Sequence, residues 1–156
     1  MSRQLFISSL LILFLLSTNV FSEEKTQQIK GPIIITSEML TADNKAHTAL
    51  FENSVVARTT DMTLHADRML VYYNADTGNI TKIEAEGGIK LIKGMRTITS
   101  KEATYCADGE KIIFTGEPRA VEGENVVTGR KITYLLNEDR FLVEGSKVFL
   151  KTRKQQ

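Results

Sequence analysis

Four segments of this chain repeat one pattern at nearly fixed spacing, and that regularity restricts it to a stack of similar units. Each segment has an apolar residue two places before a small one: Ile35-Thr36-Ser37-Glu38, Leu64-His65-Ala66-Asp67, Ile98-Thr99-Ser100-Lys101 and Val127-Thr128-Gly129-Arg130. A turn-forming residue follows each of them, at Asn53, Gly87, Gly116 and Gly145. The intervals from small residue to turn marker are 16, 21, 16 and 16, and each marker stands 13 before the next small residue. The single long interval contains Asp76-Thr77-Gly78-Asn79, as an insertion in a hairpin loop would. A period of this length means one supersecondary unit repeated, each copy burying its apolar face against its neighbours.

Within each unit the apolar period is 2, which is the period of a strand. Met69, Val71 and Tyr73 alternate in the second copy, Ala103, Tyr105 and Ala107 in the third, and Ile132, Tyr134 and Leu136 in the fourth. Turns are predicted at 74–79, at Asp108-Gly109 as a two-residue hairpin, and at Asn137-Glu138-Asp139. Return strands then run through Ala49-Leu50-Phe51, Ile83-Glu84-Ala85, Ile112-Ile113-Phe114 and Phe141-Leu142-Val143. Along the opening strands the alternation slips once, at Asp67-Arg68, Lys101-Glu102 and Arg130-Lys131. A flat strand would turn its apolar set outward after such a slip, whereas a bulge or corner absorbs it and bends the strand. The expectation is an all-β sandwich or open jelly roll of repeated antiparallel hairpins, its two sheets facing each other and stacked along one axis like a short solenoid. Pro32 and Pro118, the only prolines, fall near strand starts.

The ends of the chain read differently. Arg3 followed by the apolar run Leu5–Leu16, then Ser17-Thr18-Asn19 and Val20-Phe21-Ser22, has the layout of a secretory leader cut after Ser22. The run is shorter than the about 20 residues of a spanning helix; an uncleaved anchor is the alternative. The organisation expected is therefore a signal peptide over 1–22, a flexible mature N-terminus over 23–31, one β domain over 32–150 and a basic tail over 151–156, in an exported protein. Without Arg3 the 20 basic residues become one fewer and balance the 19 acidic ones. That balance argues against nucleic acid as a partner. Cys106 is the only cysteine, so it forms no internal disulfide.

Summed over the repeats, the inward positions are Ile35, Leu40, Ala49, Phe51, Leu64, Met69, Val71, Tyr73, Ile83, Ala85, Ile98, Ala103, Tyr105, Ile112, Phe114, Val127, Ile132, Tyr134, Leu136, Phe141 and Val143. They fill a solid core, or they line a groove. Ser37, Ala66, Ser100 and Gly129 form a strip of small side chains that would leave the interior shallow. Tyr73, Tyr105 and Tyr134 are read as one recurring aromatic position.

Several segments carry a resemblance that favours the groove. Leu64-His65-Ala66-Asp67-Arg68-Met69-Leu70-Val71 resembles the I-x-A-D-[KR]-φ-x-V segment (φ apolar) of LptA/OstA-like proteins, and Arg130-Lys131-Ile132-Thr133-Tyr134-Leu135 resembles their [DR]-K-I-T-Y-L segment. Pro32 to Glu38 is similar to their opening P-I-x-I-x-S-[DE] strand, and Ile83 to Ile89 to their return strand ending in G-[NG]-V. The likeness runs in order from Pro32 to Leu150. It departs at Asn53, where glycine is common, and in a short C-terminal end; Asn tolerates positive φ.

The resemblance implies a bent, open-ended β-jelly roll that carries lipopolysaccharide across the periplasm by its lipid A acyl chains. Its partners would be an inner-membrane-anchored and an outer-membrane component with similar domains, aligned end to end, with head-to-tail self-association. The trough would be lined by Ile33, Ile35, Phe51, Leu64, Met69, Val71, Tyr73, Ile83, Leu91, Ile98, Tyr105, Phe114, Ile132, Tyr134, Leu136 and Phe141. Ile33, Ile34 and Ile35 at one end, and Val148, Phe149 and Leu150 at the other, would be edges for strand addition. A central strand paired within its own sheet is the alternative for the first of these.

No phosphate-cradling G-x-x-x-x-G-K-[ST] occurs, so transport would be driven by a partner. His47 and His65 lack ligand spacing, and no G-x-S-x-G elbow is present. Asp67, Glu84 and Glu86 are read as outward positions rather than a carboxylate pair for glycan cleavage. The sequence thus predicts no enzyme, metal or cofactor. Two other readings stand beside the lipid carrier: a structural or glycan-binding β-repeat module with a solid core, and an inner-membrane-anchored partner of the same fold.

Overall fold

The structure is a computed structural model that describes residues 31–151. The expected leader, nearly all of segment 23–31 and the tail beyond Lys151 lie outside the described residues. Twelve strands succeed one another in chain order: β1 (Ile34–Thr36), β2 (Met39–Asp43), β3 (Thr48–Arg58), β4 (Thr63–Tyr73), β5 (Ile80–Lys93), β6 (Arg96–Cys106), β7 (Lys111–Thr115), β8 (Arg119–Glu122), β9 (Asn125–Thr128), β10 (Lys131–Leu135), β11 (Arg140–Glu144) and β12 (Lys147–Phe149). All pairings are antiparallel, along the path β1-β3-β4-β5-β6-β7-β10-β11, with β2 on β3, β8 on β6 and β9, and β12 on β9.

That path folds over on itself because the long strands bend. In β3, Thr48–Glu52 pairs with β2, and the stretch from Val56 to Arg58 pairs with β1. In β6, the half from Glu102 to Cys106 pairs with β7 and the half from Arg96 to Thr99 pairs with β8. Two arms result. One holds β2, β7, β10, β11 and the neighbouring halves of β3–β6; the other holds β1, β8, β9, β12 and the remaining halves. The open, bent all-β fold expected from the repeat is the fold observed.

The bend has a local cause. Consecutive residues are left-handed at Asn53-Ser54 (φ 65° and 53°), Gly87-Gly88 (77° and 56°) and Gly116-Glu117 (73° and 60°), and Gly145 is left-handed at 63°. These are the turn markers of the repeat. The β3–β4 and β5–β6 registers shift at the first two of them, between Glu52 and Val55 and between Glu86 and Ile89. The bulge therefore sits on the return strand, opposite the parity slip that the sequence places on the opening strand. Ala66 and Met69 are both buried, so the slip itself is present. Gly87 shows why a side chain is excluded there: a Cβ would lie 2.8 Å from the Asp67 Cβ and 2.3 Å from its Oδ2.

The small residues mark the same corner. The Ser37 and Ser100 hydroxyls donate across the kink to the Met39 and Glu102 carbonyls, each at 2.8 Å. A Cβ on Gly129 would stand 2.6 Å from Val143 Cγ1 and 2.8 Å from the Glu144 carbonyl oxygen. Their smallness serves the bend at the floor of the fold.

Three expectations need correction. The Asp108-Gly109 hairpin is a four-residue loop, since Cys106 pairs with Lys111 and Glu110 N donates to the Ala107 carbonyl at 3.1 Å. Glu110 (φ 41°) turns the chain back there, as His47 (52°) and Asp139 (47°) do in the equivalent loops. Tyr73 is not equivalent to the other two tyrosines. Tyr105 and Tyr134 stand five residues after their small residue, a place held by Val71 in the second repeat, and Tyr73 lies further out against the His47 ring, 6.1 Å away. Leu40 is 57% exposed rather than inward. It lies on β2 opposite Phe51 of β3, and among the described residues no further strand lies beyond β2 to cover the side chain.

Candidate functional site

The two arms enclose one continuous apolar interior, to which both contribute. Met69, Val71, Ile83, Tyr105, Phe114, Ile132 and Tyr134 come from the first arm and are buried; Leu91 and Ile98 come from the second and are also buried. Of the other residues expected to line a trough, Ile33, Ile35, Phe51, Leu64, Leu136 and Phe141 are partly buried against this cluster. Tyr73 sits at its margin. Val55, Ala57, Met62 and Ile89 are buried as well. Of the stretches directly after the turn markers the sequence reading took Leu91 alone into the trough and so missed these four, although Ile89 continues the same alternation.

Among the described residues three spaces open along this interior. A cleft of about 140 Å³ opens near the C-terminal end, between Ala120, Val121 and Val127 on one arm and Ile132, Phe141 and Val143 on the other, with Arg96 at its rim. Beside the β4–β5 and β6–β7 hairpin loops, about 160 Å³ is bounded by Ile33, Ile80, Tyr105, Ala107 and Glu110. Between Ala57, Leu64 and Leu91 and the facing Ile83, Tyr105 and Ile112 only about 40 Å³ remains. Burial pushes the Tyr105 hydroxyl up to about 12, with the nearby Glu110 adding to the shift.

Opposite the corner, the two rims meet in a polar cluster. Lys93 closes β5 and Arg96 opens β6, separated by the Gly94-Met95 tip. From the other rim, Tyr134 stacks on Phe141 with ring centroids 4.4 Å apart, and its hydroxyl donates to Asp139. Lys93 Nζ donates to the Tyr134 hydroxyl at 2.6 Å and stands 3.4 Å from Asp139 Oδ1. Arg96 reaches the same carboxylate oxygen at 3.0 Å, and its guanidinium lies 4.6 Å from the centroid of the Phe141 ring. Asp61 at 3.6 Å from Lys93, and Glu122 at 3.0 Å from Arg96, complete the cluster.

These contacts set the protonation states. The Tyr134 hydroxyl, then Lys93 and Arg96, hold the Asp139 carboxyl below its ordinary range. Burial raises Tyr134, helped by Asp139. Burial works against the charge on Lys93, but Tyr134 and Asp139 outweigh it and its pKa is raised. Sequence reasoning did not find this cluster. Lys93 and Arg96 stand more than 40 residues from Asp139, and charged residues beside a hairpin tip look like any solvated end.

The ends of the sheet are unpaired edges. Among the described residues β1 pairs only with β3 and β12 only with β9. Ile34 is 60% exposed and Phe149 64%. Neither edge is blunted by the charges that usually discourage pairing, apart from Lys147 at the start of β12.

A protein-family model described as LptA/(LptD N-terminal domain) LPS transport protein matches residues 34–140. The chain belongs to this family. Among solved structures, it is similar to LptH of Pseudomonas aeruginosa, the LptA-homologous periplasmic component of the lipopolysaccharide transport device. The TM-score is 0.70 at 11% identity, over 78% of this chain and 96% of that one. At that identity the likeness is one of fold, and the fold is the LptA-like jelly roll. No curated protein matches the chain. The LptA/LptD N-terminal family is one of lipopolysaccharide transport proteins, and the ordered motifs from Pro32 to Leu150 agree with membership. Among the described residues no group of His, Cys, Asp and Glu could hold a metal ion, and no helix is long and apolar enough to cross a membrane.

Proposed function

We propose that this protein carries lipopolysaccharide through the periplasm, holding the lipid A acyl chains between its two arms and passing them along an end-to-end series of similar domains. The observation that carries this reading is the single apolar interior shared by two arms that are joined at one corner only. Each methylene removed from water contributes about 0.8 kcal/mol, so an amphiphile with several acyl chains needs such shelter, while its sugars remain in solvent. The residues offered for contact are the interior ones, from Ile33, Phe51 and Leu64 at one end through Tyr105 and Phe114 to Ile132, Leu136 and Phe141 at the other.

Handover requires neighbours in register. Exposed backbone along β1 and β2 at one end, and along β11 and β12 at the other, suits strand addition with the inner-membrane-anchored component, the outer-membrane component or another copy of this chain. The carrier itself needs no catalysis and no cofactor for this. Cleavage of the leader near Ser22 would release it into the periplasm.

Photocrosslinking in cells tests the reading. A reactive side chain at Tyr105, which is buried inside, should give a lipopolysaccharide adduct. One at Glu84, on the outer face beside Lys82 and Tyr72, should give none. No adduct at position 105 in a folded, exported protein would return the solid-core repeat module to first place.

A further inference from the structure

We propose that the Gly94-Met95 hairpin and the loop after β10 form a gate in the side of the trough, latched by Lys93 and Arg96 on Asp139 and Tyr134, through which acyl chains load. The proposal rests on the trough being the lipid site.

Volume points to a gate. Sites for small ligands enclose roughly 300–1,000 Å³, whereas each of the three spaces along the described interior holds about 160 Å³ or less. Phe114, Ile98 and Ile132 are fully buried between them. Cargo with acyl chains therefore needs the arms to part. At the corner they cannot, because β3, β4, β5 and β6 run unbroken from one arm into the other. Separation must come at the opposite rims, where neither β5 nor β6 pairs with β10 or β11. No backbone hydrogen bond of the sheet has to break there.

What does hold the rims is side-chain chemistry. Lys93 and Arg96 reach across to Asp139, Tyr134 and Phe141, with their side chains only 25% and 19% exposed. Asp139 is 58% exposed. An ion pair that water can reach exchanges partners at little cost, which suits a latch better than a permanent clamp. Every charged member has a second partner or solvent on its own rim: Asp61 stands by Lys93, and Glu122 by Arg96. Opening therefore strands no buried charge. Arg96 also borders the 140 Å³ cleft, so release of the latch leads directly into the apolar interior.

Spin labels report the motion directly. Cysteines placed at Met95 and Glu138, with Cys106→Ser, put one label on each rim outside the latch. Pulsed dipolar spectroscopy of the full mature protein should give one narrow distance. Asp139→Asn and Lys93→Met should each lengthen and broaden it, and purified lipopolysaccharide should do the same to the protein with its latch intact. Fluorescent lipopolysaccharide should load several-fold faster into both variants. Unchanged distances in both variants would overturn the gate, whether or not lipopolysaccharide binds. Longer distances with an unchanged loading rate would overturn its role in loading. Variants that open while lipopolysaccharide never binds would leave the latch standing and defeat the lipid reading beneath it.

Discussion

Gly87 and Tyr105 show how single residues hold this fold, one through backbone conformation and one through burial. Gly87 is left-handed, and Asp67 fills the space a side chain would need. An L-residue in that conformation costs roughly 1–2 kcal/mol before any clash. Gly87→Ala should therefore lose about 2–3 kcal/mol in urea melts, and adding Asp67→Ala should restore only part of it. Gly78→Ala, with φ +69° and nothing within 4 Å, should lose about 1 kcal/mol. Equal losses at the two sites would mean that the crowding at the corner is unimportant. Tyr105 carries a different signature. Its ordinary pKa of 10.0 is raised to about 12 in the folded protein, so it stabilises the fold fully below pH 10 and that contribution disappears as pH rises toward 12. Tyr105→Phe should flatten the fall in stability across this window and remove a phenol that ionises near pH 12 from an ultraviolet titration.

Strands here divide into those that are bent and those that are broken. β3–β6 pass through the corner whole, whereas the first opening strand and the later ones are interrupted, as β1/β2, β7/β8, β9/β10 and β11/β12. The repeat unit is the same in both cases. A second neighbour does not decide which, since β7, β8, β9 and β10 are paired on both sides and are nonetheless broken at the corner. Among the described strands, β1, β2, β11 and β12 have one neighbour each. The exposed edges follow from that, and with them the expectation for assembly: Ile34→Lys should make the chain monomeric in sedimentation velocity while leaving its circular dichroism intact, because a charge on an edge disfavours strand addition. Phe149→Lys should act alike from the opposite end. Association unaffected by either substitution would rule out these edges as the contact.

Taken whole, the molecule is quasi-one-dimensional, and its stability should be distributed accordingly. Neighbouring strands support one another, and little joins strands far apart in the stack except the latch and the packing between the arms. Hydrogen exchange should therefore be slowest in the central pairs, Met69–Val71 with Ile83–Ala85 and Ala103–Tyr105, and fastest in β1, β2, β11 and β12. Uniform protection from end to end would contradict this picture. Low protection at the ends is also what strand exchange with a neighbour requires.

The sequence by itself determined the repeat, the strand period, the corner and the identity of most of the interior. Those features are local: alternation reports which side chains share a face, and Gly87, Gly116 and Gly145 report where only a left-handed backbone will pass. It also placed Ile33–Ile35 and Val148–Leu150 at the ends of the stack. Tertiary structure alone decided what meets across the interior. Lys93, Arg96, Tyr134 and Asp139 come together because two arms fold over each other, and no period in the chain encodes that meeting. Leu40 failed as an inward residue for the same reason, since facing inward buries a side chain only where another strand lies opposite. How closely the arms approach is likewise set by the packing of Phe114 and Ile132 on one arm and Ile98 on the other, a property of two facing surfaces rather than of any segment.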